Sequence, residues 1–256
     1  MLYAIVSYFK FLVKATNQHG VHSPFVYALV TKCFYDKKKY PAYTILHDYR
    51  KVLLQSKESI LVQDFGAGSR VFKTNTRKVK DITKHAGISL KRQQLLYRLC
   101  TWFKINSSLE LGTSLGLSTI VLAMQKNNTL ISVEGCENTA EVARKKLRDF
   151  GHPEVEIVVS DFKKALESLP KTKFDFIYVD GNHNKESTLL YFDLLLKFVH
   201  NDTVLIFDDI YWSKGMTEAW KAIISHPKVT VSMDTFYWGI VFFRKEQKKE
   251  SFTIRL

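Results

Sequence analysis

Three aspartates stand at the ends of two apolar segments of the sequence. Asp180 closes the segment FDFIYVDG, and Asp208 and Asp209 close TVLIFDD. If both segments are neighbouring strands, which lie about 4.8 Å apart, their carboxylates meet at the carboxyl edge of a sheet. Because like charges repel, carboxylates in one place either share a hard divalent cation such as magnesium or have raised pKa values. A structural role also stays open, in which one aspartate caps a helix and another contacts a cofactor.

A turn rich in small residues supplies a second candidate site. The segment ELGTSLGLS, from Glu110 to Ser118, lies between an apolar strand and a helix. Glycine lets the backbone approach a ligand closely, and the helix start offers free N–H groups. Glu134 ends the next strand, 22 residues after Gly112, where an acid can hydrogen-bond ribose hydroxyls. Ser160-Asp161-Phe162 ends the third strand, placed to contact an adenine edge and face. Three such strand ends in succession predict a nucleoside cofactor.

The spacing of the glycines favours S-adenosylmethionine over a dinucleotide. Dinucleotide sites prefer GxGxxG, because the pyrophosphate sits against the helix start. Here Gly112 and Gly116 have the spacing GxxxG, and Glu110 precedes them. An acid at that place repels phosphate but suits a cationic sulfonium ligand that carries an amino group. The predicted cofactor-binding residues are Glu110, Gly112, Ser114, Gly116, Ser118, Glu134, Gly135, Asp161 and Phe162.

Together these motifs resemble those of a known group of enzymes. LELGTSLGLSTIVLA, VEG, SD, VDGNH and IFDD are similar to motifs of class I S-adenosylmethionine-dependent methyltransferases, over about residues 89–245. The O-methyltransferases of the catechol, caffeoyl-coenzyme A and macrocin or novobiocin type are the most similar group. The resemblance implies an α/β, Rossmann-like fold with a seven-stranded, mostly parallel sheet whose last strand is antiparallel. It also implies methyl transfer to a hydroxyl oxygen, with magnesium bound by Asp180, Asp208 and Asp209.

The general base is where this sequence departs from the catechol-type enzymes. Those enzymes have a lysine three residues after the first metal-binding aspartate, whereas this chain has His183. A histidine can accept a proton near neutral pH. Asp180 or the metal alone could also activate the acceptor. The predicted catalytic residues are therefore His183 and Asp180.

Helices are predicted before these motifs, and strands alternate with helices after them. Apolar residues at helical spacing predict a helix over residues 2–13, and Ser23-Pro24 has the form of a helix start. Residues 65–85 are polar and basic, which predicts a loop or mobile arm with a short helix near its end. We therefore divide the chain into a basic helical extension with its arm, residues 1–85, and a methyltransferase domain, residues 86–256.

Two further segments look like functional motifs. Residues 63–69, QDFGAGS, look like a glycine loop, but no apolar helix and no acid-ended strand follow them. We interpret this segment as part of the arm, with closure over the substrate as the alternative. His19, His22 and Ser23 in QHGVHSPF fit the start of a helix better than a catalytic group.

The positive charge of the chain is concentrated before the predicted catalytic motifs. The net charge is +13, and residues 1–105 hold 19 Lys/Arg against 5 Asp/Glu. Such asymmetry predicts an anionic partner, namely a membrane surface, a nucleic acid or a phosphorylated substrate, with an inert basic surface as the alternative. A nucleic-acid methyltransferase is disfavoured, because VDGNH stands where the NPPY or DPPY signature of adenine and aminopyrimidine methylation would be.

Cysteine usage and the first residues indicate the compartment. Three cysteines without a CxxC pair fit a reducing environment and give no support for a zinc site or a disulfide framework. The apolar start MLYAIVSYFKFLV contains Lys10, lacks a cleavage site and is too short to span a membrane. We expect a cytoplasmic enzyme, peripheral at a membrane if the anionic partner is lipid, and compatible with a homodimer.

The acceptor expected from this sequence is a hydroxylated small molecule or a glycan-like or lipid-like compound. Two alternatives differ in class. One is a metal-independent methyltransferase that acts on nucleic acid or protein through the basic arm. The other is a catalytically inactive protein that only binds S-adenosylmethionine.

Overall fold

The computed structural model describes residues 2–65 and 72–256, which divide into two compact units. The middle unit is Lys37–Ala165, and the split unit combines Met1–Asp36 with Leu166–Leu256. The predicted glycine turn lies in the middle unit, whereas the predicted aspartate site lies in the split unit. The domain boundary that the sequence predicts after residue 85 stays a prediction.

Helices and strands alternate along most of the described chain. The helices are α1 (Leu2–Lys14), α2 (Pro24–Leu29, continued by a π-helical turn over Val30–Phe34), α3 (Ala42–Gln55), α4 (Val79–His85), α5 (Leu90–Phe103), α6 (Thr119–Ala123), α7 (Glu137–Asp149), α8 (Phe162–Ser168), α9 (Lys185–Leu195) and α10 (Lys214–Ser225). The strands are β1 (Ser59–Leu61), β2 (Thr76–Lys78), β3 (Ser107–Leu111), β4 (Thr129–Glu134), β5 (Glu156–Val159), β6 (Phe176–Val179), β7 (Val204–Asp208), β8 (Val231–Asp234), β9 (Trp238–Phe242) and β10 (Glu250–Thr253).

Local sequence explains where several helices begin. The Ser23 hydroxyl accepts a hydrogen bond from the backbone N–H of Val26, and Pro24 is the first residue of α2. The predicted helix start is thereby confirmed, since a capping serine followed by proline satisfies the free N–H groups at that end. Ser89 caps α5 in the same way through Arg92 N–H, and Lys104 ends that helix in the left-handed conformation.

In the middle unit, β3, β4 and β5 run parallel in that order. Leu111 pairs with Val133, and Glu134 pairs with Val159, so the carboxyl ends of these strands share one edge. The separate pair of β1 and β2 is antiparallel, with Ile60 opposite Arg77. These strands and α4 flank or occupy the predicted arm, where the sequence indicated only a loop and one short helix.

In the split unit the strand order is β10, β8, β9, β7, β6. β6 and β7 are parallel, whereas β9 runs antiparallel to β7, with Trp238 opposite Asp208. The seven predicted strands are β3 to β9, and the antiparallel last one is confirmed by this pairing. β10 is an additional short strand, parallel to β8, that the sequence analysis did not anticipate.

Each unit has its own buried side chains. The middle unit buries Tyr49, Leu46, Leu53, Leu96 and Leu99 completely. The split unit buries large aromatic side chains on its strands, namely Tyr178, Phe176, Phe207, Trp238 and Phe242. Strands that are apolar on every position indicate burial on both faces, as in a sheet covered by helices.

None of the helices within the described ranges has the length and apolar character that crossing a membrane would require.

Candidate active site

The glycine turn after β3 has an unusual backbone. Gly112, Ser114 and Gly116 have φ angles of 109°, 48° and 78°, all in the left-handed region. Glycine adopts such angles without steric cost, whereas Ser114 does so at some cost. The backbone N–H of Gly112 donates to the Val133 carbonyl at 2.8 Å, which ties the turn to the end of β4. The N–H of Gly116 likewise donates to the Thr113 carbonyl at 2.8 Å, so hydrogen bonds of the backbone itself close the turn.

Two buried side chains hold the turn from behind. The Tyr49 hydroxyl donates to the Leu115 carbonyl at 2.9 Å, and the Gln93 amide donates to the Leu117 carbonyl at 2.7 Å. A Cβ atom at Gly116 would lie 2.5 Å from the Tyr49 hydroxyl oxygen, so glycine is required there by contact as well as by φ. Burial raises the pKa of Tyr49, which keeps its hydroxyl a donor. The turn is therefore a fixed part of the middle unit.

Glu110 lies beneath the turn and is fully buried. Its Oε2 accepts hydrogen bonds from the hydroxyls of Thr119, at 2.6 Å, and Ser132, at 2.5 Å. These contacts tie β3 to β4 and to the start of α6, which is a structural role. The predicted contact of Glu110 with the amino group of a cofactor stays a prediction.

Glu134 stands where the sequence placed it, at the end of β4. Its Oε2 accepts a hydrogen bond from Ser114 N–H at 2.7 Å, and its Oε1 accepts one from Cys136 N–H at 2.9 Å. Burial raises the pKa of Glu134, and the backbone hydrogen bonds from Cys136 and Ser114 oppose that rise. The carboxylate is thus fixed in position beside the turn, as an acid that binds two hydroxyls of a ribose must be.

The first part of the predicted arm lies directly beside Glu134. A Cβ atom at Gly135 would lie 2.6 Å from the Phe65 ring, and Asn138 donates to the Leu61 carbonyl at 2.7 Å. Phe65 is 49% exposed, so one part of the ring faces the solvent. Sequence reasoning missed this aromatic group. Of the predicted glycine-loop segment, residues 66–69 lie outside the described residues.

Asp161 has a structural function at the start of α8. Its Oδ1 accepts hydrogen bonds from the backbone N–H groups of Lys163, at 2.9 Å, and Lys164, at 3.2 Å. Ser160 N–H donates to the Glu134 carbonyl at 3.0 Å, which brings Asp161 to the same strand edge as Glu134. Ser118 is buried at the start of α6, and Phe162 begins α8. Their predicted cofactor contacts are not tested by these observations.

In the split unit, Asp180 follows β6 and is paired with His183. The His183 Nε2 atom lies 3.5 Å from Asp180 Oδ1, and both side chains are 22% exposed. His183 and Asn182 have positive φ angles of 39° and 68°. Strained backbone of this kind is concentrated at functional sites, since the surrounding structure must impose it. Asn182 is held by a hydrogen bond from its amide to the Tyr191 hydroxyl at 2.7 Å.

Asp208 is the last residue of β7, Asp209 follows it, and the two differ in environment. Asp208 is 2% exposed, and its Oδ2 accepts a hydrogen bond from the Tyr178 hydroxyl at 2.6 Å. Its Oδ1 accepts one from the Asp209 N–H at 2.7 Å. Asp209 itself is partly exposed and has a φ angle of 53°. Tyr178 was missed by sequence reasoning, although a hydroxyl two residues before Asp180 in an otherwise apolar strand is a recognisable signal.

The three carboxylates act electrostatically on His183. Burial lowers the pKa of His183, but the contact with Asp180 and the charges of Asp180, Asp209 and Asp208 outweigh it and raise the pKa. When it is protonated, the imidazole is a counter-charge for these acids. Within residues 2–65 and 72–256, no group of three or more His, Cys, Asp or Glu side chains is arranged to hold a metal ion.

An aromatic ring and an ion pair complete the surroundings of His183. The Trp212 ring lies 5.7 Å from the imidazole, centroid to centroid, and Trp212 N–H donates to the Asp209 carbonyl at 2.8 Å. Lys185 is the next basic residue, and its Nζ lies 2.8 Å from Glu218 Oε2. Because that lysine is engaged with Glu218, His183 is better placed than Lys185 to accept a proton.

A family model described as a methyltransferase domain matches residues 109–210. These residues are a methyltransferase domain. The match begins in β3 and includes the glycine turn, Glu134, Asp161, the His183 loop and both aspartates after β7. The predicted resemblance to class I methyltransferases is thereby confirmed.

Solved structures of methyltransferases share the fold over most of the chain. The SAH-bound methyltransferase PaMTH1 of Podospora anserina has a TM-score of 0.62 and 12% identity, over 88% of this chain and 97% of that one. An O-methyltransferase of Bacillus cereus in complex with SAH has a TM-score of 0.55 and 18% identity, over 85% of this chain and 96% of that one. The O-methyltransferase TomG of Streptomyces achromogenes, in complex with SAM, has a TM-score of 0.56 and 18% identity, over 84% and 95%. The methyltransferase domain thus has the predicted Rossmann-like α/β fold. No curated protein sequence matches the chain.

Proposed function

We propose that the protein transfers the methyl group of S-adenosylmethionine to a hydroxyl oxygen of its acceptor, with His183 as the general base. Support for the cofactor comes from the matched domain, from structural relatives that are described with SAM or SAH, and from the rigid turn beside Glu134. The pairing of His183 with Asp180 is the observation that carries the rest of the proposal.

The reaction requires an oxygen nucleophile and an acceptor for its proton. The acceptor oxygen attacks the methyl carbon, the carbon–sulfur bond breaks, and its electron pair stays on sulfur as the sulfonium becomes a neutral thioether. The hydroxyl proton goes to the imidazole of His183, which a neighbouring carboxylate makes more basic. Because Nε2 is directed at Asp180, we assign the proton-accepting role to Nδ1. Asp180 positions the ring and stabilises the imidazolium that forms.

Magnesium on Asp180, Asp208 and Asp209, which the resemblance implies, stays a prediction. Both oxygens of Asp208 already accept hydrogen bonds, from Tyr178 and Asp209. We route no step of the proposed reaction through a cation.

The site of methylation tests the proposal directly. The protein is incubated with S-adenosylmethionine that carries an isotopically labelled methyl group and with a panel of hydroxylated small molecules, glycans and amphiphiles. The label is expected on an oxygen atom, together with one equivalent of S-adenosylhomocysteine. A label found on nitrogen, or on nucleic acid or protein instead of these acceptors, would overturn the assignment to hydroxyl acceptors.

A further inference from the structure

Helix α1 packs on the split unit through one narrow face. Ser7 and Phe11 are its buried residues. The rings of Tyr8 and Phe11 lie 4.8 and 5.5 Å from the ring of Phe236, centroid to centroid. Tyr3 adds a hydrogen bond from its hydroxyl to Thr217 Oγ1 at 2.9 Å. These contacts fix the orientation of the helix on the unit.

The opposite face of α1 is apolar and exposed. Leu2 is 76%, Phe9 64% and Val13 89% exposed, and Ile5 and Val6 are about half exposed. These residues have the spacing i, i+3, i+4, i+7 and i+11, so they form one continuous stripe along the helix. An exposed apolar patch of this size on a folded protein marks an interaction surface.

The flanks of the stripe indicate what covers it. Lys10 and Lys14 are exposed beside it, and α1 contains no acidic residue. Tyr3 and Tyr8 present amphipathic rings on the flanks, as is common at the boundary between lipid and water. A second copy of this chain would place four lysines near one another without a helix carboxylate to pair with them. An anionic lipid surface offers the apolar phase and the complementary charge together.

The length of α1 fixes how it would bind. Its 13 residues span about 20 Å, too short to cross a bilayer but suited to lying in the plane of the headgroups. We propose that α1 is an interfacial helix that docks the protein on an anionic membrane surface, with the stripe of Leu2, Ile5, Val6, Phe9 and Val13 inserted below the headgroups.

The same contacts connect the helix to the proposed acceptor site. The Phe236 ring, which α1 covers, is stacked on Tyr211 at 5.0 Å and 12°. Tyr211 follows Asp209 by two residues, and Ile210 N–H donates to the Tyr237 carbonyl at 3.4 Å. Helix α1 thus packs, with the face opposite its exposed stripe, on the same aromatic cluster that contacts the loop carrying Asp209. The acceptor class that follows, and that rests on the proposed function, is a hydroxylated amphiphile held in the membrane.

Vesicle binding by the full chain, without any acceptor, tests the docking surface independently of catalysis. Vesicles of phosphatidylcholine with about one third phosphatidylglycerol are compared with phosphatidylcholine alone, at low and high salt. The triple variant Ile5→Ser/Phe9→Ser/Val13→Ser is expected to bind anionic vesicles at least about tenfold more weakly. Its matched control is Ile45→Ser/Val52→Ser/Leu54→Ser, three exposed apolar residues of α3, which should bind like the wild type.

The charge component has its own pair of variants. Lys10→Gln/Lys14→Gln should weaken binding at low salt about tenfold, whereas Lys126→Gln/Lys145→Gln, two exposed lysines of the middle unit, should not. Equal binding of the triple variant and the wild type would overturn the proposal. The proposal would also be overturned if the wild type did not bind vesicles but formed a concentration-dependent dimer in sedimentation experiments, and the triple variant stayed monomeric.

Methyl transfer to a vesicle-borne hydroxylated amphiphile, compared with a soluble acceptor that has the same hydroxylated headgroup, separates docking from catalysis. The triple variant should lose transfer to the vesicle-borne acceptor at least about tenfold and keep transfer to the soluble one. Normal vesicle binding with no transfer to any acceptor would refute the proposed function and leave the docking surface standing. Transfer to the soluble acceptor with no vesicle binding would refute the docking surface and leave the proposed function standing.

Discussion

The acids at the carboxyl ends of the strands have different partners in the two units of this protein. In the middle unit, Glu134 accepts hydrogen bonds from backbone N–H groups, and Glu110 accepts them from hydroxyls. In the split unit, Asp180 faces the titratable imidazole of His183. Donors that do not titrate near neutral pH hold an acid in one state, whereas an imidazole beside an acid can exchange a proton there. Under the proposed function, the middle unit binds the cofactor and His183 of the split unit accepts the proton.

Among the variants that test this difference between the units, loss of the base His183 should change activity most. His183→Gln is expected to lower kcat/KM about 100- to 10,000-fold, because a positioned base contributes a factor of that order. The control is His200→Gln, which alters the other histidine–aspartate pair of the split unit, His200 with Asp175 at 3.0 Å. Equal losses in both variants would show that the effect comes from structure and not from proton transfer.

The pH dependence gives His183 a second signature. Since its pKa is raised, kcat/KM of the wild type should increase with pH through a pKa above the ordinary value of about 6.5. The contribution of the imidazolium to folding stability depends on pH in the opposite direction to the activity. It is fully present below about pH 6.5 and is lost as the pH rises through the folded-state pKa, so His183→Gln should destabilise the protein more at pH 6 than at pH 9. A profile that is flat across this range in the wild type would contradict the assignment.

The rigidity of the glycine turn can be tested by its own matched pair. Gly116→Ala should lower the free energy of unfolding by about 2 kcal/mol or more, because the left-handed φ is joined by a contact 2.5 Å from Tyr49. Gly151 has a similar φ of 86°, but a Cβ atom there would meet nothing within 4 Å. Gly151→Ala should therefore cost only about 1–2 kcal/mol in denaturant unfolding. Identical losses would mean that Tyr49 yields freely and that the turn is not held from behind.

Removal of one hydroxyl tests how the acid of the split unit is held. Tyr178→Phe removes a hydroxyl that donates to buried Asp208, which should cost about 1–3 kcal/mol of unfolding free energy. Tyr27→Phe, at a half-exposed ring of the same unit, is the control and should be near neutral. No difference between the two variants would indicate that Asp208 is satisfied by other means.

Metal removal should have the smallest effect. Treatment with a chelator, followed by assay with and without added magnesium, is expected to leave kcat/KM unchanged, since the proposed reaction passes the proton to His183 and uses no cation. Activity that disappears in chelator and returns with magnesium would restore the cation predicted from the three aspartates and would remove His183 from its central role.

The sequence was informative about elements and strand ends because both depend on local patterns. The seven strands from β3 to β9, the Ser23 cap and the position of Glu134 were all predictable from apolar periodicity and residue type. The supports were not predictable. Tyr49 lies 66 residues from Leu115, whose carbonyl it binds, and no local pattern encodes such a contact. The ribbon of β1 and β2 was missed because its strands have three residues each.

The site residues divide along the same line. Residue types and spacing placed Asp180, His183 and Asp208 at or near strand ends. They could not show which side chain is the partner of each aspartate. That depends on distances of a few ångströms, such as the 3.5 Å between His183 and Asp180, and on the Tyr178 hydroxyl that satisfies Asp208. The cation inferred from charge repulsion stays a prediction.

Calorimetric titration of S-adenosylmethionine into the wild type, Glu134→Gln and His183→Gln tests the division of labour most directly. The wild type should bind, Glu134→Gln should bind about tenfold or more weakly because a charged hydrogen bond to the ribose is lost, and His183→Gln should keep its affinity. Glu137→Gln, at an exposed acid three residues beyond Glu134, is the control for the charge change. Loss of affinity in His183→Gln, or none in Glu134→Gln, would contradict the assignment of cofactor binding to the middle unit and proton transfer to the split unit.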